Sequence, residues 1–300
     1  MKSAILIWLS AIRPKTLPLS ISAIILGSTI AAFDGFFNVT IFSLALITAT
    51  LLQIVSNLAN DYGDAETGAD NENRVGPKRV MQAGLVTKAQ MKKALVFSIL
   101  LTFSLGVTLI YYAFKDDFMM VIVFLVLGIL AIAAAIMYTM GKSPYGYSGY
   151  GDISVFIFFG LVGVIGSYTL FSQEFYPLLI LPACFCGFLS ASVLNINNIR
   201  DLASDIKVGK FTLAAQLGYK KAIIYHWLLL LLSEISAISF IVLAELPKLT
   251  WLHLMLVPLF IYIGRQLPKY EDGPLMNKQL KNTVLGTFVY CSVIAIGMML

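Results

Sequence analysis

Nine long apolar stretches constrain this chain more than any other feature of its sequence. Together they cover more than half of the 300 residues, and each approaches the length of about 20 helical residues that spans a bilayer core roughly 30 Å thick. Charged side chains make up only 12% of the residues, about half the share found in a typical soluble domain. A soluble globule of this size needs more polar surface, so the sequence predicts a protein embedded in a lipid bilayer.

The predicted architecture is an all-α, polytopic membrane bundle of about nine transmembrane helices, which form one domain over residues 1–300. The eighth span is short and contains Pro258, which membrane helices tolerate where neighbours satisfy the freed backbone groups. The apolar segment Met1–Ile12 carries few charges and is predicted to be an interfacial helix. The nine predicted spans are Leu17–Phe33, Asn38–Asn57, Ala94–Phe114, Phe118–Tyr138, Ile153–Ser172, Tyr176–Asn195, Ala222–Ala244, Leu249–Gly264 and Thr283–Leu300.

Basic residues divide unevenly between the two sides of this layout. The N-terminus and every second connection carry 19 of the 21 Lys and Arg residues, whereas the other connections hold only Lys115 and Lys248. The positive-inside rule places the basic side in the cytoplasm. The N-terminus is therefore predicted inside the cell and the C-terminus outside, in a cytoplasmic (inner) membrane. The net charge of +5 reflects this topology, and nucleic-acid binding is not expected.

A first group of polar residues follows the second span, on the basic side. Asn57, Asn60, Asp61 and Asp64 are spaced i, i+3, i+4 and i+7, so they share one face of a helix. Carboxylates and amides crowded together favour a cation between them. These hard oxygen ligands suit Mg²⁺, which commonly takes one or two carboxylates together with substrate phosphates. Basic side chains suited to phosphate oxygens follow at Arg74, Lys78 and Arg79.

A second group, after the sixth span, repeats this pattern. Asn198, Asp201 and Asp205 again share a helical face, and a Val-Gly pair and Lys210 follow them. Either group alone also fits a solvated, capped helix end, where Asp and Asn are common. Two facing acidic groups would instead bind two metal ions and bridge one diphosphate. The shared side, residue types and order favour this second interpretation.

Longer motifs around both groups resemble the UbiA superfamily of intramembrane aromatic prenyltransferases, and within it the 1,4-dihydroxy-2-naphthoate polyprenyltransferases. The motifs run from near the N-terminus to Gly218, and the helical pattern continues beyond them. They are Arg13-Pro14-Lys15-Thr16-Leu17-Pro18, Asn60-Asp61-Tyr62-Gly63-Asp64, Gly76-Pro77-Lys78-Arg79-Val80-Met81-Gln82-Ala83-Gly84, Tyr138-Thr139, Pro144-Tyr145-Gly146-Tyr147, Gly151-Asp152-Ile153, Asn195-Ile196-Asn197-Asn198-Ile199-Arg200-Asp201 and Gly209-Lys210.

The resemblance implies a Mg²⁺-dependent enzyme whose active site lies at the cytoplasmic side of the membrane. Such an enzyme transfers a polyprenyl group from polyprenyl diphosphate to 1,4-dihydroxy-2-naphthoate, releases CO₂ and pyrophosphate, and gives demethylmenaquinone. The implied metal ligands are Asp61, Asp64, Asp201 and Asp205. The catalytic set adds Asn57, Asn60 and Asn198 to these four. The residues predicted to bind substrates are Arg74, Arg79, Lys142, Tyr138, Tyr145, Tyr147, Asn197, Arg200 and Lys210.

Particular roles follow for some of these residues. Arg79 and Lys210 are expected to neutralise the charge that builds on the leaving pyrophosphate, as preorganised cations do. Lys142 is the only base in its connection, and we assign it to the aromatic carboxylate. The tyrosines offer π faces or hydroxyl groups to an allylic cation. An interfacial aromatic belt explains the tyrosines equally well.

Another aromatic acceptor, such as 4-hydroxybenzoate, is the alternative within the family. Asn197-Asn198 stand here where the 4-hydroxybenzoate enzymes resemble Tyr-Ala. Gly68 occupies the position where many relatives have a further aspartate, and Asp70 comes two residues later. Both departures favour the naphthoate type and leave Asp70 without an assigned role.

An ion-coupled secondary transporter is the alternative from another class. Transporters keep their binding residues near the bilayer midplane on broken helices, whereas the carboxylates here are predicted at helix ends on one face. That position favours chemistry on a substrate dissolved in the membrane. His226 and His253 are predicted to be packed or interfacial, and Glu234, inside the seventh span, has no assigned role.

Overall fold

Helices make up nearly all of the structure, and no strand occurs in the described ranges. A computed structural model describes residues 3–69, 75–269 and 275–300. The all-α prediction is confirmed. The helices are α1 Ala4–Ile12, α2 Leu17–Phe33, α3 Val39–Glu66, α4 Lys88–Phe114, α5 Phe118–Met137, α6 Gly151–Ser172, α7 Pro177–Lys207, α8 Leu213–Leu243, α9 Val257–Gln266 and α10 Met276–Met299. Three 3₁₀ segments lie between them, at Tyr145–Tyr147, Lys248–Leu256 and Leu267–Lys269.

Polar side chains fix where several helices begin. Asn38 accepts hydrogen bonds from the backbone of Thr40 and Ile41 at the start of α3. Thr87 and Gln90 form a reciprocal capping box at the start of α4. The Asp117 side chain accepts a hydrogen bond from the backbone N–H of Met120 at the start of α5. Each cap satisfies backbone N–H groups that have no partner inside the helix.

Seven helices in the described part of the chain are long and apolar enough to cross a membrane: α3 to α8 and α10. Together α1 and α2 give an eighth, although they meet at an angle of 57°. All nine predicted spans are helical. The eighth, Leu249–Gly264, is divided between the 3₁₀ segment Lys248–Leu256 and α9. The protein is therefore a multi-pass membrane protein, and the count of nine stays a prediction.

The helices that bear the aspartates are longer than the predicted spans. The second span was predicted to end at Asn57 and the sixth at Asn195, whereas α3 continues to Glu66 and α7 to Lys207. Both acidic groups therefore lie on continuous α-helix. No residue beyond the apolar part of either helix interrupts its backbone hydrogen bonds. This rigid extension fixes the position of the site relative to the bundle.

Small residues bring α2, α6 and α7 into close contact. A Cβ atom added at Gly160 would lie 2.5 Å from the Ala183 carbonyl oxygen, and one added at Gly27 would lie 2.3 Å from the carbonyl oxygen of Val164. Membrane helices pack through such small residues because lipid supplies little hydrophobic drive for their association. Part of α6, Phe156–Ile165, is wound as a π-helix.

Candidate active site

A cavity of about 690 Å³ occupies the centre of the bundle. One end is polar and is lined by the ends of α3 and α7 and by the connections after α1 and before α4. The rest is apolar and extends between α2, α3, α4, α5 and α6, as far as Phe124 and Leu170. An amphipathic ligand with an anionic head and a long apolar tail fits this division.

The first acidic group lies at the polar end and pairs with two arginines. Arg79 donates to Asp61 Oδ1 at 2.7 Å, and its Nη2 lies 3.0 Å from Asp64 Oδ2. Arg13 also forms an ion pair with Asp61. Both carboxylates are nearly fully buried, where unpaired charges would be costly. The arginines therefore hold the two aspartates in place at the wall of the cavity.

The second acidic group pairs with the basic residues beside it in sequence. Arg200 donates two hydrogen bonds to Asp201, of 2.8 Å from Nε and 2.5 Å from Nη2. The same guanidinium donates to the side-chain oxygens of Asn197 and Asn277, both at 2.8 Å. Lys210 Nζ lies 3.8 Å from Asp205 Oδ1. Among these residues, Asn197, Arg200, Lys210 and Asn277 line the cavity, as does Asn198.

Tyr147 links the two groups. Its hydroxyl donates to Asp64 Oδ1 at 2.6 Å, and Lys210 Nζ stands over its ring, 5.2 Å from the centroid. The backbone N–H of Phe211 donates to the Tyr147 carbonyl at 2.9 Å. A chain of contacts therefore runs from Asp64 through Tyr147 and Lys210 to Asp205, and a single site built from both groups stays a prediction.

The other two tyrosines line the cavity just below its polar end. Tyr138 is held between two glycines, because a Cβ atom at Gly146 or Gly151 would lie 2.6–3.0 Å from Tyr138 atoms. Tyr145 donates from its hydroxyl to the Ala134 carbonyl at 2.9 Å, and the two rings contact edge to face with centroids 5.4 Å apart. Burial raises the pKa of Tyr145, so its phenol stays neutral and keeps this donor.

Five predicted site residues within the described ranges do not line the cavity: Asn57, Lys142, Tyr147, Asp201 and Asp205. The Asn57 amide donates to the Ile12 carbonyl at 2.8 Å and to Thr16 at 3.3 Å, so it ties α3 to the junction of α1 and α2. Lys142 is exposed and does not line the cavity. Asn60 does line it and accepts a hydrogen bond from Thr139. Asp70 and Arg74 lie outside the described residues.

The carboxylate oxygens of the four aspartates are suitable ligands for a divalent cation. They do not lie close enough together to surround one ion. Within the described ranges, no three His, Cys, Asp or Glu side chains are close enough together to hold a metal ion. The four aspartates stand in pairs, each already in contact with a basic side chain. Hard carboxylate oxygens in pairs suit Mg²⁺ that is also coordinated by substrate phosphates.

Several residues at the polar end were not predicted as site residues. The basic side chains of Arg13, Lys15 and Lys281 line the cavity beyond the two aspartate motifs, as do the amides of Gln53 and Asn277. Lys78, noted in sequence beside Arg79, lines it too. Arg13 and Lys15 belong to one of the motifs that resemble the family, so the sequence could have identified them as site residues. Lys281 stands in a helix with no such motif, so only the fold brings it to the site.

The intramembrane Glu234 has partners that the sequence did not reveal. Its carboxylate oxygens lie 3.1 Å from His253 Nε2 and 2.9 Å from the Tyr290 hydroxyl, and His253 Nδ1 lies 2.7 Å from the Thr250 carbonyl. The network joins α8, the 3₁₀ segment Lys248–Leu256 and α10. None of its side chains lines the cavity. His226 is fully buried, as its packed interpretation predicted.

Comparison with known proteins shows the family to which the chain belongs. The chain is 44% identical to a 1,4-dihydroxy-2-naphthoate octaprenyltransferase of Escherichia coli, over 98% of this chain and 95% of that protein. It is 42% identical to the protein of that name from Haemophilus influenzae, over 86% of both chains. A solved UbiA homologue of Archaeoglobus fulgidus, bound to DMAPP and Mg²⁺, shares the fold with a TM-score of 0.64 at 13% identity, over 97% of this chain and 99% of that one. Residues 20–292 match the UbiA prenyltransferase family, and the chain belongs to that family.

Proposed function

We propose that this protein transfers a polyprenyl group from polyprenyl diphosphate to 1,4-dihydroxy-2-naphthoate. The supporting observation is the central cavity, whose polar end is lined by Asp61, Asp64 and several cations above a long apolar chamber. Asp201 and Asp205 pair with Arg200 and Lys210, which line the same end. The names of the relatives at 44% and 42% identity support this acceptor. The reaction releases CO₂ and pyrophosphate and gives demethylmenaquinone, formed first as its hydroquinone.

Bond changes in the proposed reaction balance without a further reactant as far as the hydroquinone form of demethylmenaquinone, which is the product released. The C–O bond of the prenyl diphosphate breaks, and its electron pair leaves with pyrophosphate. The ring carbon that bears the carboxylate forms the new C–C bond with the prenyl group. Loss of CO₂ returns the electron pair of the broken C–C bond to the ring. The charge of the allylic cation cancels that of the carboxylate, so no net proton is taken up or released.

The residues of the polar end divide this work. Arg79 pairs with Asp64, and Lys210 stands over the Tyr147 ring. Both would neutralise charge as it develops on the leaving pyrophosphate. Asp61, Asp64, Asp201 and Asp205 are the residues that would hold Mg²⁺, and the bound ion would supply further positive charge to the diphosphate. The apolar chamber excludes water, which would otherwise capture the allylic cation.

The tyrosines next to the diphosphate would face the reacting carbon. Tyr138 lines the cavity between the polar end and the apolar chamber, and its position is fixed by Gly146 and Gly151. A π face at this position stabilises a cation. Since Tyr145 contacts the Tyr138 ring and is itself anchored to α5, the pair is preorganised before substrate binds.

The decisive experiment is turnover by the purified protein in lipid nanodiscs. With octaprenyl diphosphate and 1,4-dihydroxy-2-naphthoate, we expect release of pyrophosphate and CO₂ in equal amounts, and prenylated product by mass spectrometry. Excess chelator should abolish turnover, and Mg²⁺ should restore it. Turnover with 4-hydroxybenzoate but not with the naphthoate would assign the alternative acceptor. An absence of pyrophosphate release with either acceptor would favour the transporter.

The proposed cellular setting is the cytoplasmic (inner) membrane, with the polar end of the cavity facing the cytoplasm. The distribution of Lys and Arg supports this orientation. Both proposed substrates fit the setting, because the prenyl donor dissolves in the bilayer and the aromatic acid is soluble in the cytoplasm.

A further inference from the structure

The central cavity has a small branch between α4 and α5. A second cavity, of about 60 Å³, shares Thr48, Leu52, Gly106, Ile110 and Gly128 with the main one. Thr48 stands thirteen residues before Asp61 on α3, a distance of about 20 Å along the helix axis. The branch therefore leaves the main cavity deep in the bundle, well away from the polar end.

The outer rim of the branch faces the lipid. Phe103, Val107 and Ile129 line it and are 42%, 43% and 49% exposed. They belong to α4 and α5, of which α5 is the least buried of the candidate spans. The branch thus connects the chamber with the surface that the bilayer covers.

Two glycines keep the branch open. A Cβ atom at Gly128 would meet no atom within 4 Å, and one at Gly106 would meet only Thr48 Cγ2, at 3.8 Å. Glycine in a helix interior is destabilising relative to alanine. In membrane proteins this cost is usually offset because glycine lets two helices pack closely together. Close packing explains Gly160, whose added Cβ would collide with Ala183. It does not explain Gly106 or Gly128, where the added atom would enter open space.

We infer that this branch receives the distal isoprene units of a long prenyl donor and leads them toward the lipid. The absent side chains at Gly106 and Gly128 then set the donor length that the protein accepts. The inference rests on the proposed function, which places the diphosphate at the polar end. The occupant follows from continuity, since the branch opens from the same apolar chamber that would hold the first isoprene units.

The test compares a long and a short donor in variants that fill the branch. Gly128→Leu and Gly106→Leu place an aliphatic side chain in it from opposite walls. With octaprenyl diphosphate, we expect kcat/KM to fall by at least about tenfold in each variant, because buried isoprene surface is lost. With geranyl diphosphate, kcat/KM should stay within about twofold of the unmodified protein, since its two units do not reach the branch. Val126→Phe, on the lipid-facing side of α5 and outside both cavities, is the matched control and should change neither value.

A labelling experiment makes the test independent of folding. An octaprenyl diphosphate analogue with a photoreactive group at its far end should label peptides of α4 and α5 that contain Phe103, Val107 or Ile129. Labelling confined to α2, α7 or α10 would overturn the inference, as would equal effects of both leucine variants on the two donors. If the unmodified protein turns over neither donor, the proposed function fails instead. Labelling that persists unchanged in Gly128→Leu would also overturn the inference, because the far end of the donor would then reach these peptides without passing through the branch.

Discussion

The four aspartates are the residues on which the proposed chemistry depends most directly. Changing Asp61, Asp64, Asp201 or Asp205 to asparagine keeps the side-chain shape and removes one negative charge. Loss of such a ligand typically costs several kcal/mol at the transition state, so turnover of each variant should fall by at least about two orders of magnitude.

Steady-state kinetics of the four asparagine variants, with each substrate varied in turn, would test this prediction. Glu66→Gln is the matched control. Glu66 ends α3, pairs with Lys88 and lies outside the cavity, so its neutralisation should leave turnover near normal. Near-normal turnover in both Asp64→Asn and Asp201→Asn would refute the two-group mechanism. The aspartates would then be polar helix ends without a role in catalysis.

The aromatic carboxylate is the substrate group for which we propose a different partner, Lys281 in place of Lys142. Lys142 was predicted to hold it, yet Lys142 is exposed and away from the cavity, whereas Lys281 lines the cavity one turn after Asn277. A charge-assisted hydrogen bond contributes about 1.5–3 kcal/mol. Lys281→Ala should therefore raise the KM for the naphthoate roughly tenfold or more and leave that for the prenyl diphosphate nearly unchanged.

Two comparisons sharpen the lysine prediction. Lys278→Ala, on the same helix but outside the cavity wall, should leave both KM values unchanged. The decarboxylated acceptor 1,4-dihydroxynaphthalene should bind the Lys281→Ala variant as well as it binds the unmodified protein. A larger rise in KM for the naphthoate in Lys142→Ala than in Lys281→Ala would return the carboxylate to Lys142.

At the scale of elements, the sequence predicts the positions of the helices better than it predicts the contacts between them. Apolar length and capping residues such as Thr87 and Asp117 are local features, so each predicted span is helical. Helices α3 and α7 continue past the ends of their apolar spans, as the helical spacing of the aspartates predicts. The partners of Glu234 and Asn57 come from residues 19 and 45 positions away, and no local pattern encodes such a pairing.

Two glycines, one closely packed and one facing open space, should respond differently to substitution by alanine. In Gly160→Ala the new Cβ would collide with the Ala183 carbonyl and approach Gly187 Cα at 2.9 Å. Such overpacking costs about 1–3 kcal/mol, so the thermal unfolding midpoint in detergent should fall. Gly128→Ala adds its methyl group to open space and improves helix propensity by up to about 1 kcal/mol. Its midpoint should be equal or higher, and a fall as large as that of Gly160→Ala would contradict the packing described here.

For the whole molecule, the contacts at the polar end decide how often the chain crosses the bilayer. Helix α8 begins there, since Phe211 and Gln216 bond to the backbone of the Tyr145–Tyr147 segment and Ser148. Helix α10 also begins there, since Asn277 accepts from Arg200. The chain must therefore return across the bundle between Leu243 and Met276. The 3₁₀ segment Lys248–Leu256 and α9 together rise about 33 Å, enough to cross a core about 30 Å thick.

This return is consistent with the predicted nine spans, and nine spans predict that the two termini lie on opposite sides of the membrane. A reporter that is active only in the cytoplasm, fused after Asn73, should be bright. The same reporter fused at Leu300 should be dark, whereas a reporter active only outside should show the reverse. A fusion after Glu245, between α8 and the 3₁₀ segment, is the informative control. It should match the Leu300 fusion, because both positions lie at the end opposite the aspartates. If the Asn73 and Leu300 fusions were both bright, Lys248–Gln266 would not cross the membrane, and the outward C-terminus would be wrong.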